Sequence, residues 1–228
     1  MTMAGANVPE SSRQTARNAF PGEWLVCFAV KEEAKGFVAP DQSVRTLITG
    51  MGGLNAKRAI EAAINSRPPA VVLTCGFAGG LAPGLAKGTV LFSEDSDPQL
   101  QPFLSAAGLA SARFLCANRV AVTAAEKRAL RATTGADAVE MESQFICAFC
   151  RAKGIPSAAV RVILDPADED LPLDFNQLMT PDQRMDFKKL ALVVLKSPGK
   201  IRSLLRLQNE SRTAARRLGL LLTKLLAR

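Results

Sequence analysis

The chain has no histidine and no tyrosine among its 228 residues, and a single tryptophan. Without histidine there is no Ser-His-Asp machinery and no imidazole base, and most zinc sites are removed as well. Acid–base work must fall on Asp, Glu, Lys, Cys or water. Long apolar runs are missing too: none reaches the ~18 residues needed to span a bilayer. Residues 1–22 are polar, lack the apolar stretch of a secretory signal and are expected to form a disordered tail. The cysteines are few and odd in number. Cys27, Cys75, Cys116, Cys147 and Cys150 lie in apolar surroundings and read as reduced core thiols of a cytoplasmic protein. Cys147-x-x-Cys150 has no second pair to complete a metal site, so no metal and no cofactor are expected.

Acid is scarce after residue 191. Nine basic residues there face only Glu210, so the whole net charge of +8 sits in that segment. Ile201, Leu204, Leu205, Ala215, Leu218, Leu222 and Leu225 recur at helical spacing between Arg202, Arg206, Arg212, Arg216, Arg217 and Lys224. Two readings stay open: a core-packing helix with a solvated basic face, or an interfacial helix that docks through 199–228 on anionic lipid. Nucleic-acid binding is not expected, because the segment has no aromatic side chain for base stacking. Three parts are expected: a 1–22 tail, a 23–190 α/β domain and a basic amphipathic helical tail over 191–228.

Apolar runs alternate with helical patterns along the middle of the chain. Strands are expected at Trp24–Val30, Val44–Thr49, Ala70–Cys75, Thr89–Phe92, Arg113–Cys116, Ala136–Val139 and Ser157–Ile163. Helices are expected at Leu54–Ser66, from the capping box Thr123-Ala124-Ala125-Glu126 to about Thr133, and at Met141–Lys153 before Gly154. Thr180-Pro181-Asp182-Gln183 resembles another helix start. This alternation predicts one α/β domain with a mainly parallel, mixed central sheet flanked by helices. Ligands then bind beyond the carboxyl ends of the strands.

Candidate site residues gather at those ends. Glu32 and Glu33 follow the first strand, either as a solvated helix start or with one carboxyl directed into the cleft. Gly50-Met51-Gly52-Gly53 and Gly76-Phe77-Ala78-Gly79-Gly80 read as tight turns that bring backbone close to a ligand. Neither is a P-loop or a dinucleotide fingerprint. Glu140 and Glu142 flank Met141 and fall on one side of an extended backbone. Two carboxylates side by side repel unless something bridges them, and a sugar diol is such a bridge. Asp165 ends a strand before Pro166, as a turn residue or as a group that holds a proton.

In this order, Ala29-Val30-Lys31-Glu32-Glu33, Thr49-Gly50-Met51-Gly52, Gly76 to Pro83, Val139-Glu140-Met141-Glu142-Ser143 and Arg161-Val162-Ile163-Leu164-Asp165 resemble the methylthioadenosine/adenosylhomocysteine nucleosidase and purine nucleoside phosphorylase superfamily. The resemblance runs from about Trp24 to Phe175. The Asp165-Pro166-Ala167-Asp168 loop and the basic tail look most like its hopanoid-associated, adenosylhopane-cleaving branch. The resemblance implies release of adenine from an adenosyl nucleoside, one that is lipid-linked in that branch. Asp165 would protonate purine N7 and Glu33 would position the attacking water. Glu142 would bind the ribose hydroxyls, Met141 would lie under the ring, and Glu140 would support the pocket. Gly52, Phe77, Ala78 and Gly79 would line the site. The base-stacking aromatic has no counterpart, and Arg119, Val120 and Val122 are the nearest candidates. Thr74 and Glu33 replace phosphate-binding arginines of hexameric phosphorylases, which favours water over phosphate as co-substrate. A homo-oligomer, at least a dimer, is implied as well, and so is a cytoplasmic enzyme with peripheral contact to a membrane.

Overall fold

Trp24–Phe28 is apolar at every position and forms strand β1, buried throughout. A computed structural model describes residues 19–180, 182, 186, 189 and 198–227. The expected tail over 1–22 falls largely outside these residues, as do Pro181 and Gln183 of the helix start at 180–183 and most of the stretch up to 197. The sheet continues with β2 (Val44–Ile48), β3 (Val71–Gly80), β4 (Val90–Ser93), β5 (Ala110–Ala112), β6 (Phe114–Cys116), β7 (Ala138–Glu140) and β8 (Ser157–Asp165). Its spine runs β2-β1-β3-β8-β4-β5, with β7 joined to β3 and β6 to β7. β1, β2, β3 and β8 are mutually parallel, whereas β4 runs against β8 and β7 against β3. This is the expected mixed, mainly parallel α/β sheet.

The helices are α1 (Lys31–Ala34), α2 (Gly53–Ser66), α3 (Gln101–Ala106), α4 (Ala124–Thr134), α5 (Ser143–Ala152) and α6 (Ile201–Leu226). Alternate residues of a strand face opposite ways, so β1 feeds two cores. Trp24, Val26 and Phe28 join Leu73, Val160, Val162, Leu218 and Leu222 on one face. Leu25 and Cys27 meet Ile60, Val72, Ile146 and Cys150 on the other. Covered on both sides, the strands carry unbroken apolar runs, as buried parallel strands do.

Two expectations change here. Gly76–Gly80 is not a turn, because β3 runs straight through it and pairs with β8 and β7. And of the expected tail over 191–228, the described helix α6 is not set apart from the domain. Ala214, Ala215, Leu218, Leu222 and Leu225 of α6 are buried in the main core. A Cβ on Gly219 would lie 1.9 Å from the carbonyl carbon of Gly36, so helix and loop touch backbone to backbone. Thr223 Oγ1 accepts the Val38 N–H (3.1 Å) and donates to the Val38 carbonyl (3.0 Å). The face assigned to core or lipid therefore belongs to the core in its C-terminal half. Exposed apolar side chains remain at Ile201, Leu205 and Leu220.

Candidate active site

A cavity of about 280 Å³ opens beyond the carboxyl ends of β1, β3 and β8 and beside the β7–α5 junction. Glu33, Glu142 and Asp165 all line it, with Phe77, Ala78, Gly79, Val120, Glu140 and Met141. One cavity thus gathers nearly every residue singled out in the sequence.

Glu33 is buried and held by main chain. One carboxyl oxygen accepts the N–H groups of Ala29 (2.9 Å) and Val30 (3.3 Å); the other accepts that of Phe77 (2.9 Å). Glu33 is not a solvated residue at a helix start: it is buried, it accepts the Val30 N–H at the first turn of α1, and it lines the cavity. Burial raises its proton affinity, against the pull of these N–H groups and of Arg161.

Glu140 and Glu142 have different surroundings. Glu140 is buried and saturated: it accepts from the Glu142 N–H (3.0 Å), the Ser143 N–H (2.8 Å), Ser143 Oγ (2.7 Å) and Arg161 Nη2 (2.6 Å). Burial alone would raise its pKa, but Arg161 and these donors hold it below the usual carboxylate value. Glu140 was expected among the substrate-binding groups, yet its carboxylate is spent on fixing the turn into α5. Glu142 is partly open to the cavity and accepts the Gly52 N–H at 2.7 Å. Gly52 acts through Glu142 here, at a backbone φ of +80° that favours glycine. Burial, and next the charge of Glu140, push the Glu142 carboxyl up to about 7.

Asp165 sits just past an irregularity in β8. Ala78 pairs with Ile163 but Gly79 pairs with Asp165, so Leu164 is the extra residue of a bulge. Bulges re-aim side chains next to functional sites. A Cβ on Gly79 would stand 3.2 Å from Asp165 Oδ2, so the glycine gives the carboxyl its room. Burial raises Asp165 to about 6, although Lys127 opposes it. Asp165 and Glu142 thus titrate in the range where a group can both hold and deliver a proton.

Two charged residues of this site had no assigned role. Arg161 stood within a quoted motif, but nothing in the sequence showed that it is buried. It donates to the Thr74 carbonyl (2.7 Å) and Thr74 Oγ1 (3.3 Å) besides Glu140. Lys127 is fully buried. The one available signal was its spacing three residues before Leu130, on the inward stripe of α4. Leu171, Phe175, Met179 and Leu207 were also missed; with Leu164 they give the cavity an apolar mouth. Val120, a candidate for stacking on a base, lines the cavity, and its N–H and carbonyl are tied to the Asn176 side-chain amide (2.8 and 3.0 Å).

The cysteines lie apart from the cavity and are all free, with Cys116 and Cys147 only partly buried. Burial pushes Cys147 up to about 11 and Cys150 to about 12. Among the described residues, no helix is long and apolar enough to cross a membrane.

A model of the phosphorylase superfamily matches residues 109–196. No curated protein sequence matches the chain. Solved structures share its fold. S-adenosylhomocysteine nucleosidase of Streptococcus pyogenes, in complex with 5-methylthiotubericidin, superposes with a TM-score of 0.67 at 13% identity, over 91% of this chain and 98% of that one. The 5′-methylthioadenosine/S-adenosyl homocysteine nucleosidase of Campylobacter jejuni gives 0.61 at 16%, over 89% and 99%. Futalosine hydrolase of Helicobacter pylori gives 0.61 at 16%, over 89% and 98%.

Proposed function

We propose that this chain is an enzyme that cleaves the N-glycosidic bond of an adenosyl nucleoside and releases adenine, with water as the nucleophile and no cofactor. The observation that carries the reading is that Asp165, Glu142 and Glu33, three carboxyl groups of raised proton affinity, line one small cavity. In this reading Asp165 donates a proton to N7 of the base. The bond from C1′ to the base breaks with its electron pair moving into the ring. The sugar is left oxocarbenium-like, and an ionised carboxylate beside it stabilises that charge. Glu142 accepts from the ribose hydroxyls and Met141 packs under the ring. Water adds at C1′ and gives its proton to Glu33.

The spending of Arg161 supports water over phosphate. Its terminal nitrogens are engaged by Thr74, Val160 and Glu140, so the cation nearest the sugar-binding acids is not on offer to an anion. The apolar mouth of Leu164, Leu171, Phe175, Met179 and Leu207 suits a large apolar 5′ substituent, as in adenosylhopane. A substrate held in a bilayer would have to be met there, and Ile201 and Leu205, each exposed next to an arginine (Arg202 and Arg206), are the groups in α6 that could meet it. Exposed Leu54 and Phe145 offer apolar surface to a second copy. A non-catalytic nucleoside-binding protein on this scaffold is the alternative.

The test is free-adenine release from 5′-methylthioadenosine, adenosine and an adenosylated lipid, with and without phosphate. Release with free ribosyl product in phosphate-free buffer is the expected result. A strict phosphate need with ribose 1-phosphate as product would overturn the hydrolase assignment, and no release from any of the three would overturn the enzyme.

A further inference from the structure

Lys127 is fully buried within α4. A buried ammonium is tolerated only when its donors are matched, and here three acceptors surround it. Nζ donates to the carbonyls of Pro166 and Glu169, each at 2.8 Å, and lies 2.5 Å from Asp165 Oδ2. An ammonium has three N–H bonds, so every one of them is directed at Asp165 or at the turn that follows it. Among the described residues no hydrogen bond is made to Asp165 Oδ1.

We propose that Lys127 is the positioning residue of the acid: it claims Oδ2 of Asp165, leaves Oδ1 as the oxygen that carries the proton to the ligand, and balances the carboxylate once that proton has gone. The inference rests on the glycosidic cleavage proposed above. A hydrogen on Oδ2 would point at the ammonium hydrogens, so the neutral acid keeps its proton on the other oxygen. When that proton passes from Oδ1 to the base nitrogen, the charge left behind is met by a donor already in place and nothing has to reorganise. The same contact fixes the Pro166–Glu169 turn, so the acid and the loop after it move as one piece.

Other groups facing Asp165 do not take this part. From the segment before β4, Lys87 acts on it at longer range and is paired with Glu169 (2.5 Å) and Glu210 (3.0 Å). Glu169, on the turn itself, acts in the opposite sense. From β3, Gly79 pairs with Asp165 and brings no charged group to it.

The test uses Lys127→Met, Lys127→Gln and Lys127→Arg in the full chain. Two readouts are needed: the pH profile of adenine release from 5′-methylthioadenosine, and the carboxyl 13C titration of Asp165, identified by its loss in Asp165→Asn. Removing the cation favours the neutral acid. In the Met variant Asp165 should titrate at least about one pH unit higher, the range for loss of a close opposite charge. The alkaline limb of the profile should move up with it, while the plateau rate falls about tenfold or more. The Arg variant should keep the limb near its wild-type place. If Met does not fold, as circular dichroism will show, Gln keeps two donors without the charge and carries the same expectation. A folded neutral variant that loses rate while its limb and titration stay in place would overturn the proposal and leave Lys127 a structural residue. Should the wild type release no adenine at all, the cleavage reading fails, and the 13C titration still decides whether Lys127 controls Asp165.

Discussion

Gly76 and Glu33 share one space: a methyl group on Gly76 would lie 2.6 Å from Oε1 of Glu33 and 2.9 Å from its carboxyl carbon. The glycine lies within a strand and needs no unusual backbone angle. Its smallness lets a carboxyl group from α1 press onto β3 and accept the Phe77 N–H.

Gly76→Ala should therefore displace Glu33. Overpacking of this kind costs about 1–3 kcal/mol. A lower melting temperature with a loss of turnover larger than the loss of stability accounts for is the expected outcome. An Ala variant that melts and turns over like wild type would mean that Glu33 has other room.

Asp165→Asn should abolish turnover with the fold intact, because an amide has no titratable proton to give. General acids contribute ~10²–10⁴-fold. Retention of more than about a tenth of the wild-type rate of adenine release would remove Asp165 as the acid.

Glu142 makes a prediction about stability and pH. Its pKa of about 7 in the folded chain exceeds the ~4.3 of an exposed glutamate, so the folded state binds the proton more tightly. Stability from this group is fully present below the unfolded value and is lost as pH rises through the folded one. Glu142→Gln cannot ionise and escapes that loss. Its melting temperature relative to wild type should rise between about pH 4.3 and pH 7, with most of the gain reached by pH 7 and little change above it. A difference that stays constant over this range would show that the carboxyl is not destabilised by its neighbours.

For α6, truncation before the helix would remove core side chains such as Leu218 and Leu222 and unfold the protein, so point changes are the proper probe. Full-length protein should sediment with anionic liposomes at low salt and be released at high salt, since each basic residue near such a surface contributes roughly 1 kcal/mol. Ile201→Ser with Leu205→Ser should weaken sedimentation and leave cleavage of soluble nucleosides unchanged. No binding of the wild type at any salt concentration would remove the membrane contact.

The sequence alone specified the α/β class, because unbroken apolar runs alternating with amphipathic stretches admit few other arrangements. It also brought out the acids, since Glu33, Glu142 and Asp165 each stand at the end of an apolar run or just beyond it, where such folds bind ligands. What it misread were features decided by approach in space. Gly76–Gly80 looks like a turn in one dimension and is a strand in three, with Gly76 and Gly79 making room for carboxyl groups 43 or more positions away along the chain. Glu140 and Glu142 look equivalent until Arg161, which is 21 residues distant from Glu140, neutralises one and not the other. Lys127 reads as one more basic residue on a helix. Only the approach of the Asp165–Glu169 segment to α4 gives its ammonium two carbonyls and the Asp165 carboxylate. Periodicity reports which face of an element is buried. Which charged group waits on the other side depends on tertiary contacts that no local pattern encodes.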